Sequence, residues 1–115
     1  MNAYASRIDA VMKQASDDLQ DRMHMALLAA REIIPPEVAT LCVNYPYQPY
    51  MNEPPRWDTF ALVGWACPEE SGEQFVQGVT VPWEREETAI CDEAKKAARI
   101  WLRKFEEWKA RRAGK

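Results

Sequence analysis

Trp57-Asp-Thr-Phe-Ala-Leu-Val-Gly-Trp-Ala-Cys67 is the stretch on which the fold turns. In an extended chain successive side chains point to opposite faces. Trp57, Ala61, Val63, Trp65 and Cys67 then share one face, and Phe60 and Leu62 lie on the other. Apolar residues on both faces predict a central strand covered on both sides. Two flanking segments supply its neighbours. Val38–Tyr45 is rich in β-formers, with Ala39, Leu41, Val43 and Tyr45 on one face. Gln74–Val81 places Phe75, Val79 and Val81 on one face, and the turn Pro68–Gly72 joins it to the central strand as a hairpin.

Helical periodicity brackets this β region. Residues 3–34 hold no glycine or proline, and apolar residues recur at spacings of three and four from Tyr4, Ile8, Val11, Met12 and Ala15 through Leu19, Met23, Ala26, Leu27, Ala30 and Ile34. Asn2 or Ser6 can cap the start, and Pro35-Pro36 stops the helix, because the residue before a proline avoids helical geometry. Such a helix is about 45 Å long, whereas a compact domain of this length is only about 35 Å across. It must therefore fray, bend near Ser16–Asp18, or overhang. Residues 88–112 form a second helix, with Thr88 as N-cap and a buried stripe of Ile90, Ala94, Ala97, Trp101, Phe105 and Trp108, flanked by Ala98 and Leu102. The expected fold is a single α+β domain over residues 1–115: a long N-terminal helix, a three-stranded antiparallel sheet and a C-terminal helix, both helices on one face of the sheet.

The chain has 115 residues, 47% hydrophobic and 29% charged, with a net charge of −3. Those proportions fit one globular domain and exclude wholesale disorder. The longest uncharged stretch, Val38–Asn52, is broken by prolines, so no membrane-spanning helix is expected. No secretory signal is read in the first thirty residues, and a cytoplasmic protein is expected. Cys42, Cys67 and Cys91 are odd in number and widely spaced, without a CxxC pair. They read as reduced, mostly buried thiols, and with His24 as the lone histidine no metal site is expected. No catalytic residue and no cofactor is expected either: no Gly-rich phosphate loop, HExxH pattern or nucleophile beside a base is present.

Three features remain as functional candidates. Between the first two strands runs Tyr45-Pro-Tyr-Gln-Pro-Tyr-Met-Asn-Glu-Pro-Pro-Arg56, long for a hairpin connection of about two to five residues. Its prolines stiffen it toward polyproline II. It then either presents Tyr47, Tyr50 and Met51 as protein-binding anchors or folds its rings over Phe60 and Leu62. Trp83 and Trp108 lie outside or at the end of the periodic elements and are further candidate anchors. The third feature is charge. Residues 95–115 carry nine Lys/Arg against two acids, whereas residues 1–94 carry six against sixteen. Lys95, Lys96, Arg99 and Arg103 on the second helix can grip phosphates, but the acidic field of the whole chain opposes the approach of nucleic acid.

The helix-strand-strand-strand-helix order resembles that of the double-stranded-RNA-binding domain, and Glu93-Ala-Lys-Lys-Ala-Ala98 is similar to the start of that family's second helix. The resemblance implies a similar layout, with Lys95 at a family phosphate contact. The family's preceding lysine pair is replaced here by Cys91 and Asp92, so the resemblance does not carry RNA binding. In size and acidity the chain also resembles small accessory proteins of phages and plasmids, anti-CRISPR inhibitors among them, which act by binding a host protein. The expectation is a non-catalytic protein that associates stoichiometrically with a protein partner. A nucleic-acid-binding module using the basic helix is the alternative. A homodimer through the apolar stripe of the N-terminal helix is also expected, since an overhanging stripe left in water forfeits about 25 cal/mol per Å².

Overall fold

A computed structural model of the chain describes residues 3–68 and 72–113, with side chains described from Asp17 onward in the first helix. The elements follow the order α1 (Ala3–Ile33), β1 (Thr40–Asn44), β2 (Thr59–Ala66), β3 (Phe75–Pro82) and α2 (Glu87–Ala113). The strands form one antiparallel sheet in the order β1-β2-β3. The class and the α-β-β-β-α layout are those read from the sequence. Asn2 and Glu69–Glu70 lie outside the described residues, as do the side chains from Tyr4 to Ala15.

Helix α1 runs unbroken through Ser16–Asp18. The chain measures 67 × 33 × 23 Å, longer than the roughly 35 Å of a compact domain. Among the described side chains of α1, packing onto the core begins at Leu19 and continues through Met23, Ala26, Ala30 and Ile34. The Ile34 N–H closes the last turn on the Ala30 carbonyl at 2.8 Å, and Pro35 accepts from Val38 and Ala39 in the turn that follows. The two prolines supply no N–H with which to continue the helix.

Helix α2 begins one residue before the expected cap. The Ile90 N–H donates to the Glu86 carbonyl at 3.0 Å, so Thr88 lies within the first turn and caps nothing. Its buried residues are Ile90, Ala94, Ala97, Ala98, Trp101 and Phe105. The alanines let α2 approach α1 closely. Cys91 lies 4.0 Å from the Met25 carbonyl, and Lys95 reaches Glu32 at 3.0 Å.

Both helices cover the same face of the sheet. On it lie Leu41 and Val43, then Phe60, Leu62, Gly64 and Ala66, then Phe75, Val79 and Val81. Trp101 is fully buried beneath this face and donates its indole N–H to the Gly64 carbonyl at 3.1 Å. A Cβ at position 64 would lie 2.6 Å from that indole nitrogen and 2.8 Å from Leu41 Cδ2, so glycine is required there. Phe75 extends the aromatic packing, with ring centroids 5.3 Å from Trp101, 5.4 Å from Phe105 and 5.4 Å from Trp108.

The expectation that β2 is covered on both faces is corrected. β2 is central, but its second face carries no helix. On that open face Trp65 is 37% exposed and Val76 of β3 is 60% exposed, while the small Ala61 is buried between its cross-strand neighbours Asn44 and Thr80. The thiols are also less buried than expected: Cys67 is exposed, and Cys42 and Cys91 are half-buried. Among the described residues no helix is long and apolar enough to cross a membrane.

Candidate functional site

The loop between β1 and β2 has a packed base and an open tip. At the base the Tyr45 ring lies 5.1 Å from Phe60 and 6.0 Å from Trp57, and its hydroxyl donates to the Trp57 carbonyl. Trp83 joins this cluster at 5.2 Å from Phe60 and 6.3 Å from Tyr45. Further out, Tyr47 and Arg56 exchange main-chain hydrogen bonds, 2.7 Å from the Arg56 N–H and 3.3 Å from the Tyr47 N–H. The Arg56 guanidinium sits 5.9 Å from the Tyr47 ring centroid. Pro46, held by a cis peptide bond, starts the loop.

The tip is braced from inside. The Gln48 side-chain amide donates to the Glu53 carbonyl at 2.9 Å and the Met51 carbonyl at 3.4 Å, and the Glu53 N–H closes a turn on the Tyr50 carbonyl at 3.1 Å. These bonds satisfy main-chain groups that a long loop otherwise leaves to water. They also hold two apolar side chains outward: Tyr50 is 66% exposed and Met51 is 99% exposed. The two fates open to this loop are thus divided between its residues. Tyr45 folds onto Phe60, Tyr47 is half-buried, and Tyr50 and Met51 point to solvent.

Trp83 and Trp108 are both half-buried. Trp83 is held by Phe60 and Tyr45, while Trp108 stacks on Phe105 at 5.9 Å beneath the Arg112 guanidinium at 4.5 Å. Trp57 is more open than either, at 64% exposure. Sequence reasoning missed it as an anchor by assigning it to the strand. β2 begins two residues later, at Thr59, and the signal was the adjacent Pro54-Pro55, which delays the strand.

The basic residues of α2 are divided among different tasks. Lys95 is tied to Glu32 of α1, and this bond holds its ammonium pKa above the usual lysine value. Lys96 pairs with Glu93 at 3.2 Å. Arg99 and Arg103 are exposed, but the same helical row carries Asp92 at one end and Glu106 and Glu107 at the other. Cys91 and Asp92, where the RNA-binding family has its lysine pair, bring no cation to the surface. The concavity around Arg22, Arg85, Glu86, Glu87 and Thr88 is crossed by Arg22 itself, which donates to the Arg85 carbonyl at 3.1 Å. Among the described residues no group of histidine, cysteine or acidic side chains is placed to hold a metal ion. No protein-family model, curated protein or solved structure matches this chain significantly.

Proposed function

We propose that the protein acts by stoichiometric association with a protein partner, without catalysis, and that the braced tip of the β1–β2 loop is its principal contact. One observation carries the reading: Tyr50 is two-thirds exposed and Met51 almost fully exposed on a loop whose main chain is held by Gln48, by the Tyr47–Arg56 pair and by the Tyr45–Trp57 hydrogen bond. An exposed apolar pair on a rigid support loses little conformational entropy on binding, and tyrosine is prominent among residues that dominate interfaces. Small size, acidity and the lack of catalytic groupings suit an inhibitory accessory protein of the phage or plasmid type, working in the cytoplasm. Tagged protein recovered from its native host should bring down a partner that the Tyr50→Ala/Met51→Ala variant does not. Equal recovery by both would remove the loop from the account.

A homodimer through α1 belongs to the same proposal only in part. The described portion of the apolar stripe, from Leu19 to Ala30, packs within the chain's own core. A second copy would therefore be met by Tyr4 to Ala15, whose side chains lie outside the described residues. Arg99 and Arg103, exposed and without an ion pair among the described residues, support nucleic-acid binding as a second reading. The acids in their own row weigh against it.

A further inference from the structure

The two edges of the sheet are unlike. β1 is short, and the carbonyl of Ala39 just before it accepts from Arg31 of α1 at 3.0 Å. β3 runs for eight residues, and from Gln74 to Trp83 it carries no charge. Natural sheets usually blunt such an edge with lysine, a bulge or a covering element. β3 pairs with β2 in continuous register without a bulge.

The direction of its main-chain groups follows from the register. The Trp83 N–H donates to the Asp58 carbonyl at 2.8 Å, and these two residues continue the β2–β3 pairing. Hydrogen-bonded pairs alternate along an antiparallel ladder. Phe75, Gln77, Val79 and Val81 therefore bond to β2, and Val76, Gly78 and Thr80 turn their N–H and C=O groups to the open edge. Pro82 falls in the outward set, where a missing N–H costs the ladder nothing. Among the described residues the one partner on this edge is the Gln77 side-chain amide, which donates to the Gly78 carbonyl at 2.8 Å.

Gly78 is the second observation. The fold does not call for it: a Cβ there would meet only Val63 Cγ2, at an ordinary 3.8 Å, and its φ is not positive. Glycine within a strand often marks a bulge, a tight bend or the close approach of a ligand or another backbone, and β3 has no bulge here. Gly78 is the middle of the three outward residues of β3 that carry an N–H.

We infer that β3 pairs antiparallel with β3 of a second copy, about a two-fold axis at Gly78, to form a continuous six-stranded sheet. In this register Val76 faces Thr80 of the second copy, Gly78 faces its counterpart, and the pairs exchange six main-chain hydrogen bonds. The outward set is self-complementary, as a two-fold interface requires. Only the axial residue meets itself, and glycine presents no side chain there. The strand brings no like charges together, but each copy carries a net charge of −3, so the two copies repel each other. Screening relieves that repulsion, so pairing strengthens as salt rises.

The test uses the full chain in light scattering between 10 and 200 µM, in low salt and in about 0.5 M salt, a level that leaves exposed charges well screened. The expected mass at high salt is twice 13.3 kDa. Val76→Pro with Thr80→Pro removes two outward N–H groups without touching the β2 ladder, and should weaken dimerisation at least tenfold with far-UV dichroism unchanged. Val76→Lys with Thr80→Lys, which keeps both N–H groups, serves if the proline variant does not fold and should also yield monomer. A wild-type mass of 13.3 kDa throughout would overturn the inference. So would a dimer that persists in the folded variants, which would place the contact on α1 instead.

Discussion

The indole N–H of Trp101 reaches the Gly64 carbonyl at 3.1 Å only because position 64 has no side chain. A methyl there would lie within 3 Å of the indole and of Leu41, and neither can withdraw: Trp101 is fully buried and Leu41 nearly so. Gly64→Ala should therefore destabilise the protein by roughly 1–3 kcal/mol through overpacking. Gly78→Ala, whose Cβ would meet only Val63 Cγ2 at an ordinary 3.8 Å, should be neutral or stabilising by about 0.5 kcal/mol. Denaturant unfolding of both variants checks the pair. Equal effects would mean that the close approach of Trp101 to β2 does not limit the core.

Alkaline stability should report the Lys95–Glu32 bond between the two helices. Its partner raises the Lys95 pKa, so the folded state holds that proton more tightly than the unfolded chain. The contribution is complete below the ordinary lysine value of 10.5 and is lost as pH rises through the higher folded value. Thermal melts from pH 9 to 12 should show a slightly shallower alkaline decline in Lys95→Met than in the parent. The effect is small because the lysine is solvent-accessible. Identical slopes would mean that the bond adds nothing to folding.

Much of this fold is legible in the residues. The three-and-four spacing of Ile90, Ala94, Ala97, Trp101 and Phe105 identifies the buried face of α2, and Phe75, Val79 and Val81 identify the inner face of β3. The open outer face of β2 was misread because Val63 and Trp65 are as apolar as a covered face would be. Periodicity reports hydrophobicity and cannot say whether a helix lies opposite. The loop was recognisable from its length and prolines. The division between packed Tyr45 and exposed Tyr50 was not, because it depends on the Gln48 and Tyr47–Arg56 braces, and residue type alone does not reveal these.

Nucleic acid should not be retained at low salt. Of the four cations assigned to phosphate contact, Lys95 and Lys96 already hold acids of this chain. Steeply salt-dependent binding of duplex DNA or RNA, abolished by Lys96→Glu, Arg99→Glu and Arg103→Glu together, would establish the second reading in place of the first.

The most direct test is a calorimetric titration of the captured partner with the parent protein and with Tyr50→Ala/Met51→Ala. Both side chains are exposed, so folding stability should stay within about 0.5 kcal/mol of the parent. The parent should bind at one-to-one stoichiometry with a negative heat-capacity change, the mark of apolar burial. The variant should bind at least tenfold more weakly, a loss of about 1.4 kcal/mol. A folded variant that binds with the parent's affinity would contradict the account, since the braced loop tip would then make no contact that matters.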